Sequence, residues 1–463
     1  MTVPRAHTSG VHKVCVLETP AAPQGGWTPC LIDTHIKVRP QVLRSYLFAP
    51  WQPVIYDLSL VAAAVNFCDW NCKRPSNIWE RRFELRIPVH EPARWNDPPV
   101  RTALQRVLQT LTGDRWDLTF IDRQSPYPSP SDQSLALPSK TQAAIAFSDG
   151  LDSQRRELVR RRARRRDHRS RAVVGRGYKA QPRRVPFTPL PFKVKALPKI
   201  RHETSQRARG FKFAAASGLA ASLANVSDII VPESGSGALG PVLVRYGGMY
   251  SDFRNHPKFF RQMEAFLSAL LGRQLNFKQP RLEMTKGESL LAYLDHTRVN
   301  RDAATVGPSR GALLLAETRH YVAVGDGTRR QCGVCASCML RRLSMHVAGI
   351  EEASETYSWE NLNAPDLVAA APDKYKDKIG PAQRNYAIAG TLHLTHLAGF
   401  DRLTDYAGVT ARHAREIADA TGSDQATVKR WLDEFLQRHE VQWRDFLATL
   451  DAGSFVKQWA GSP

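Results

Sequence analysis

A short apolar stretch followed by a polar turn contains the residue types best suited to chemistry in this sequence. Residues Ala143 to Phe147 have the composition of a buried parallel strand, and Ser148-Asp149-Gly150 forms a turn before a helix-forming segment. Backbone N–H groups and the positive end of a helix dipole then point at one spot. Gly150 allows close approach there, and the hydroxyls of Ser148 and Ser153 can donate. The pattern predicts a phosphate site.

Cys332, Cys335 and Cys338 form two successive C-x2-C steps. Thiolates at this spacing converge on one tetrahedral metal ion, and the same spacing occurs in some iron–sulfur proteins. A fourth ligand is needed, and His320 is the nearest upstream residue able to bind zinc. Cys68 or Cys72 could also reach over from the N-terminal domain, although their C-x3-C spacing is a weak signal and is better explained by two thiols buried in a core. A missing fourth ligand would weaken the site or abolish it.

The elements that must position these groups alternate between strand and helix. Runs at Arg171–Gly175, Phe192–Ala196 and Ser227–Val231 are strand-like, and Gln206–Ala224 is predicted as a long helix. This alternation after a phosphate turn predicts an α/β fold with a doubly wound parallel sheet. Ligands of such sheets bind at the carboxyl ends of the strands.

The rest of the chain is predicted to form further domains. Residues 1–125 are interpreted as an N-terminal α/β domain with helices over Val54–Phe67 and Arg101–Leu111 and a strand over Trp79–Val89. The Ser- and Pro-rich segment 126–140 is a predicted linker, 141–350 the domain with the phosphate turn, and 351–463 a helical region. Spacing in Ile417–Phe435 is typical of a helix-turn-helix, with DNA binding or plain helix packing as the two explanations.

Composition and charge indicate the compartment and the partners. The 463 residues are 42% hydrophobic, without an apolar run that could cross a membrane or serve as a signal peptide, and seven cysteines indicate reduced thiols. A cytoplasmic protein with no membrane partner is expected. Net charge is +21, and ten arginines lie between Arg155 and Arg171 against Glu157 and Asp167. That block favours an anionic partner, or it is a solvated helix face. It contains no aromatic residue, which gives no support for base stacking.

The polar turn resembles the SGGxDS signature of the PP-loop ATP pyrophosphatases, which split ATP into AMP and pyrophosphate while adenylating a substrate. Five of six positions match, with Asp149 where the family has its first glycine. The resemblance implies an adenine nucleotide alpha hydrolase-like fold and Mg²⁺ near Asp152. It also implies that ATP is bound by Phe147, Ser148, Asp149, Gly150, Leu151, Asp152 and Ser153.

Five further pieces follow in order: Glu203–Arg209, Pro232–Gly235, Arg254–Pro257, Thr285–Glu288, and the cysteine triplet with Arg341-Arg342. Together they resemble 7-cyano-7-deazaguanine synthase (QueC) and QueC-like proteins, above all the long members of bacterial anti-phage operons such as the Qat system. The likeness is clearest over about 141–350. It implies a structural zinc held by four cysteines, but the family's first cysteine has no counterpart near Thr305–Pro308.

The resemblance implies that ATP activates a carboxylate on a 7-carboxy-7-deazaguanine-like substrate, which is then coupled to an amine. In defence-associated members a partner protein of the same operon would supply the amine. Asp152, Lys286 and Arg207 are the implied catalytic residues, with Lys286 neutralising phosphate charge. Glu233 and Arg209 are the implied substrate-binding residues. A helix cap or a salt bridge is the alternative for Lys286 and Glu233.

Two other functions stay open on the sequence. The arginine block Arg155–Arg171 is compatible with a PP-loop enzyme that modifies RNA, although this interpretation is not favoured. Asp149 and the missing cysteine are compatible with a degenerate PP-loop that serves as a scaffold for partner proteins.

Overall fold

The structure is a computed structural model. It describes residues 11–21, 25–46, 51–75, 79–127, 142–146, 172–175, 187–198, 200, 202–244, 250–299, 321–323, 329–353, 356–377 and 379–461. The predicted ATP-binding segment 147–153, the arginine block 155–171 and His320 lie outside the described residues, as do Thr305–Pro308 and most of the predicted linker.

The described residues divide into two compact units. Unit 1 draws on the ranges 1–148, 166–231 and 252–278, and unit 2 draws on 232–251 and 279–463. Each unit therefore combines segments that are distant in sequence. The predicted domain boundaries at 125, 140 and 350 stay predictions.

The first part of unit 1 is a four-stranded parallel sheet with the order β2-β1-β4-β5. Its strands are β1 (Val11–Leu17), β2 (Thr28–Leu31), β4 (Arg82–Val89) and β5 (Arg115–Asp122). Between them lie a 3-10 helix (Pro40–Tyr46), α1 (Pro53–Asn71), α2 (Pro92–Asn96) and α3 (Pro98–Thr112). The parallel pairing confirms the expected α/β class, and its helical crossovers are compatible with a Rossmann-like fold.

The sequences of helices α1 and α3 explain where each helix begins or ends and which side chains it buries. Pro53 begins α1 at a position where a missing N–H costs nothing, and nearly every side chain after it is buried. α3 presents one apolar face, which buries Leu104, Val107, Leu108 and Leu111, and it ends at Gly113 with φ of +69°. The helices predicted over Val54–Phe67 and Arg101–Leu111 are therefore confirmed, and the core forms where they cover the sheet.

A five-stranded sheet with the order β11-β10-β6-β7-β8 forms the second part of unit 1, and all its described pairings are parallel. Its strands are β6 (Ala144–Ala146), β7 (Ala172–Gly175), β8 (Phe187–Pro189), β10 (Asp228–Ile230) and β11 (Asn276–Lys278), accompanied by α4 (Arg209–Leu223), a 3-10 helix (Phe253–Asn255) and α7 (Pro257–Leu271). The short strand predicted before the polar turn is thus the central strand. Helix α4 confirms the long helix predicted over Gln206–Ala224.

One predicted strand pairs elsewhere than expected. Phe192–Val194 forms β9, but it pairs antiparallel with β3 (Ile36–Val38) and is not the third strand of the parallel sheet. That place belongs to β8, which ends at Pro189. Because proline has no N–H to donate, the ladder stops there, and the chain starts a new pairing at Phe192.

Unit 2 is mainly helical within the described residues. Its elements are α5 (Gly235–Ala238), α6 (Gly240–Leu243), α8 (Lys286–Val299), α9 (Ala336–Val347), α10 (Asp373–Lys376), α11 (Pro381–Ala398), a 3-10 helix (Phe400–Arg402), α12 (Tyr406–Thr421), α13 (Gln425–Ala448) and α14 (Phe455–Ala460), with a hairpin of β12 (Tyr321–Ala323) and β13 (Arg329–Gln331). The helical pattern predicted beyond residue 351 is confirmed.

Helices α12 and α13 meet across a short turn at Gly422, which has φ of +70°. Asp424 caps α13 by accepting the N–H of Thr427 at 2.8 Å. Val428 is buried and Ala418 lies against it in the same apolar cluster, so the small-residue spacing is used for close helix packing. Packing thus accounts for the pattern in this segment, and DNA binding stays untested.

Candidate functional site

Cys332, Cys335 and Cys338 lie together at the start of α9. Cys335 is the N-cap residue of the helix, and Cys338 lies in its first turn. The three Sγ atoms lie within 4.8 Å of one another, and those of Cys332 and Cys338 are 3.6 Å apart. All three side chains are buried. A helix that begins at the second cysteine therefore brings the third back beside the first.

The loop between the first two cysteines requires a glycine. Gly333 has φ of +93°, and a Cβ atom there would lie 2.6 Å from the main-chain oxygen of Trp359. Arg342 of α9 closes this loop, because its Nε donates to the oxygen of Gly333 at 3.0 Å and its Nη2 donates to that of Trp359 at 2.6 Å. The guanidinium also stacks on the ring of Tyr357, 3.8 Å from its centroid. These contacts hold the cysteine loop in one conformation.

The donor chemistry of the cluster fits a metal ion such as zinc. Hydrogen bonding with the other two thiols lowers the pKa of Cys332, and the contact with Cys332 raises the pKa of Cys335. The backbone N–H of Cys335 lies 3.4 Å from Sγ of Cys332 and donates to it. Three convergent sulfur ligands suit zinc, which binds thiolates with tetrahedral geometry. The sequence prediction of a metal cluster is confirmed to this extent.

The fourth ligand is not among the described groups. Across the described ranges, the cysteine triplet alone brings three potential metal ligands together. Cys68 and Cys72 are buried in the core of unit 1, where burial raises the pKa of both thiols. His320 lies outside the described residues, so its role as the fourth ligand stays a prediction.

Glu233 and Lys286, which the sequence predicts as site residues, are brought together in unit 2. Nζ of Lys286 lies 3.2 Å from Oε1 of Glu233, and both side chains are mostly buried, with 14% and 21% exposed. The backbone N–H of Lys286 donates to Oγ of Ser236 at 3.1 Å. The pair thus joins the segment after β10 to the beginning of α8.

A reciprocal cap fixes the start of α8. The N–H of Thr285 donates to Oε2 of Glu288 at 2.8 Å, and the N–H of Glu288 donates to Oγ1 of Thr285 at 3.2 Å. This arrangement is a capping box. Arg438 holds Glu288 from α13 at 2.7 Å. The Thr-Lys-Gly-Glu piece therefore has a structural use at its first and last residues, and Lys286 is the member whose charge is directed to Glu233.

Arg207 and Arg209 lie in unit 1. Nη1 of Arg207 donates to the main-chain oxygen of Thr112 at 3.1 Å, and the guanidinium of Arg209 lies 5.7 Å from the ring centroid of Phe213. Burial lowers the pKa of Arg207, helped by the charge of Arg74 nearby. Neither contact by itself indicates a phosphate or a carboxylate ligand.

Buried ion pairs surround Arg207. Nη2 of Arg81 lies 2.6 Å from Asp69 and 2.7 Å from Asp114, and all three side chains are almost fully buried. Asp69 also accepts the N–H of Ala208 at 2.8 Å. Fully hydrogen-bonded buried charges of this kind tie α1, β4 and the segment before α4 to one another. Arg81, which lies directly before β4, is thus a structural arginine.

The Arg254–Pro257 piece also has local structural contacts. Arg254 forms a bidentate ion pair with Asp252, which lowers the pKa of that carboxyl. Nδ1 of His256 accepts the N–H of Lys258 at 3.2 Å and caps α7.

Sequence reasoning missed one pair of buried titratable residues, Asp57 of α1 and His90 after β4. Nδ1 of His90 lies 2.8 Å from Oδ1 of Asp57. Thirty-three positions separate them in sequence, so no local spacing predicts the contact. A histidine directly after the carboxyl end of a parallel strand was the available signal.

None of the helices in the described ranges combines the length and apolar character that a membrane crossing requires. No family model, curated protein or solved structure matches the chain. The function is therefore argued from the residues and the fold.

Proposed function

We propose that this chain is a QueC-like, ATP-dependent enzyme of the PP-loop type, which adenylates a carboxylate and couples it to an amine. The strand order of the five-stranded sheet carries the proposal. The first strand of this sheet along the chain, β6, lies between β7 and β10, so the direction of winding reverses beside it. Open parallel sheets bind ligands outside the carboxyl ends of their strands at such a reversal. The segment 147–153 follows β6 directly along the chain.

The proposed adenylation requires the protein to do little more than place the reacting groups and neutralise the charge of the phosphates. A carboxylate oxygen of the substrate attacks the α-phosphorus of ATP, and pyrophosphate leaves. The amine then attacks the acyl carbon, loses a proton, and AMP leaves. Ser148, Gly150 and Ser153 would bind phosphate oxygens, and Asp152 would hold Mg²⁺, which neutralises phosphate charge when bound.

The Glu233–Lys286 pair supports a charged ligand in unit 2. Lys286 is held by Glu233 at 3.2 Å, so a cation is kept at a defined place beside a carboxylate. We assign Lys286 to the phosphate charge and Glu233 to the amino group of a deazaguanine-like substrate. Arg207 and Arg209 are proposed to meet the phosphates or the substrate carboxylate, and the cysteine cluster is proposed to hold a structural zinc with His320.

The proposal is tested with purified full-length protein, ATP, Mg²⁺ and 7-carboxy-7-deazaguanine, alone and with proteins encoded beside it. AMP and pyrophosphate are quantified, and every polypeptide is weighed by intact mass spectrometry. AMP with a mass gain on a partner indicates protein modification, and AMP with a free nitrile indicates synthase activity. Lys286→Ala is expected to reduce AMP release strongly. Lys376→Ala, which removes an exposed lysine paired with Asp373, is the matched control.

The failure of AMP formation from folded protein under every condition would contradict the enzyme proposal. Loss of ATP binding as well would then favour a scaffold. Release of AMP that requires RNA, with RNA binding that weakens steeply in salt, would favour an RNA-modifying enzyme instead.

A further inference from the structure

The carboxyl edge of the four-stranded sheet in unit 1 gathers buried polar side chains that the proposed reaction does not use. Glu18 follows β1, His90 follows β4 and Arg123 follows β5, while Asp57 comes from the second turn of α1. The sheet order β2-β1-β4-β5 places the reversal of winding between β1 and β4. Ligands bind at this point in sheets of this order.

Asp57 fixes the orientation of His90. Its carboxylate is fully buried and accepts the backbone N–H of His90 at 3.0 Å and that of Glu91 at 3.3 Å, besides the contact with Nδ1 at 2.8 Å. Because an ionised carboxylate can only accept, Nδ1 of His90 carries the proton that it donates. The outer nitrogen, Nε2, is buried and has no hydrogen-bond partner within the described residues. The His90 side chain as a whole is only 10% exposed.

Arg123 also has buried polar atoms without a hydrogen-bond partner. Its side chain is 6% exposed, and Nε lies 3.3 Å from Oε1 of Glu18. Glu18 therefore balances the charge of Arg123, but the two groups are not oriented for a hydrogen bond. Neither Nε nor Nη1 of Arg123 has a hydrogen-bond partner in the described part of the chain. Glu18 instead accepts the N–H groups of Gln124 at 2.8 Å and Ser125 at 2.9 Å. Its lone pairs are therefore largely occupied.

His90 and Arg123 both pack against the ring of Tyr56. The imidazole packs edge-on against Tyr56 at 5.4 Å between centroids, and the guanidinium of Arg123 lies 4.5 Å from the centroid of the same ring. On another side His90 contacts Tyr127, which is 39% exposed. Leaving a buried donor such as Nε or Nη1 of Arg123 unpaired costs about 1–3 kcal/mol. A ligand that accepts hydrogen bonds removes this cost, and the positive end of α1 favours a negative one.

We propose that this edge of the N-terminal sheet binds an oxyanion, the phosphate or carboxylate group of a small molecule. Nε and Nη1 of Arg123 are its donors together with His90 in the imidazolium form, whose Nδ1–H donates to Asp57 and whose Nε2–H donates to the ligand. Asp57 is the positioning residue that presents Nε2 of His90, and Glu18 balances the charge of Arg123. The site is independent of the proposed adenylation site, since it uses none of the same residues.

Isothermal titration of the full-length protein with inorganic phosphate and, separately, with acetate tests the proposal. Saturable binding of phosphate alone assigns a phosphorylated ligand, and saturable binding of acetate alone assigns a carboxylate ligand. Arg123→Gln and His90→Phe are each expected to weaken binding about tenfold or more, the effect of losing one charge-assisted hydrogen bond. Arg82→Gln is the matched control, because Arg82 lies at the other end of β4, is 53% exposed and pairs with Asp117.

Nitrogen NMR of His90 keeps the proposal testable if a variant fails to fold. Addition of the bound anion is expected to shift the Nε2 resonance of His90 and leave Nδ1 little changed. Asp57→Asn is expected to abolish the single-tautomer signature of the free protein and to weaken anion binding, whereas a contact that serves only the fold would leave anion binding unchanged. The proposal is overturned if neither anion binds, or if binding survives both His90→Phe and Arg123→Gln unchanged.

Discussion

Nζ of Lys286 lies 3.2 Å from Oε1 of Glu233, although the two residues are 53 positions apart in sequence. Both side chains are mostly buried. A pair with this burial is screened less by water than a surface pair, and its contribution to stability is about 1 kcal/mol.

A double-mutant cycle measures this relationship. Glu233→Gln, Lys286→Met and the double variant are compared by urea unfolding, and a coupling of about 1 kcal/mol is expected. The same cycle on Asp373 and Lys376, whose side chains are 96% and 45% exposed, is expected to give a coupling near zero. Equal couplings for the two pairs would show that burial does not strengthen the first.

The cysteine cluster predicts a zinc protein. Protein purified with zinc is expected to retain one ion per chain by elemental analysis, and Cys338→Ser to lose it, because a hydroxyl is a poor substitute for a thiolate. Cys15→Ser, which changes a half-buried thiol on β1, is the control. His320→Ala is expected to weaken zinc retention, and unchanged retention in that variant would exclude His320 as a ligand.

Gly333 is predicted to be indispensable for the metal loop. Alanine there adds a Cβ 2.6 Å from the main-chain oxygen of Trp359 at a φ of +93°, so we expect a loss of several kcal/mol and of zinc binding. Gly349→Ala is the matched control, since Gly349 has φ of +61° with open space around it. Its expected cost is about 1 kcal/mol. A similar cost for both variants, measured by urea unfolding, would contradict this account.

Buried His439 predicts a loss of stability in acid. Burial lowers the pKa of His439 to about 4 from its ordinary value of 6.5. Between pH 6.5 and 4, His439 binds a proton in the unfolded chain but not in the folded protein. The free energy of unfolding therefore falls as the pH falls through this range. The contribution is up to about 3 kcal/mol.

His439→Gln separates this effect from all other titrating groups. Glutamine can still donate to the main-chain oxygen of Leu394, which His439 contacts at 3.1 Å. The difference in unfolding free energy between the two proteins is expected to change across this pH window and to stay constant above it. A difference that does not depend on pH would mean that His439 keeps an ordinary pKa.

Local patterns were enough to predict several features of this protein. The apolar spacing of α3 and the continuous apolar run of α1 specify helices because side chains 3 or 4 positions apart share a face. The C-x2-C-x2-C spacing predicted the convergence of Cys332, Cys335 and Cys338, because thiols at two such successive steps can reach one tetrahedral ion. In the structure the first step is a loop turned by Gly333, and the second is the first turn of α9. The alternation of strands and helices predicted the parallel pairing.

Only the tertiary structure decided the contacts between residues distant in sequence. Pairing of β9 with β3, the position of Lys286 against Glu233, and the bond between Asp57 and His90 depend on which strands become neighbours. The spacing of residues along the chain does not predict which strands become neighbours. The free energy of closing a long loop changes little with its length, so many different pairings have a similar cost. Sequence thus determined the elements and the cysteine cluster, and packing determined which charged side chains meet.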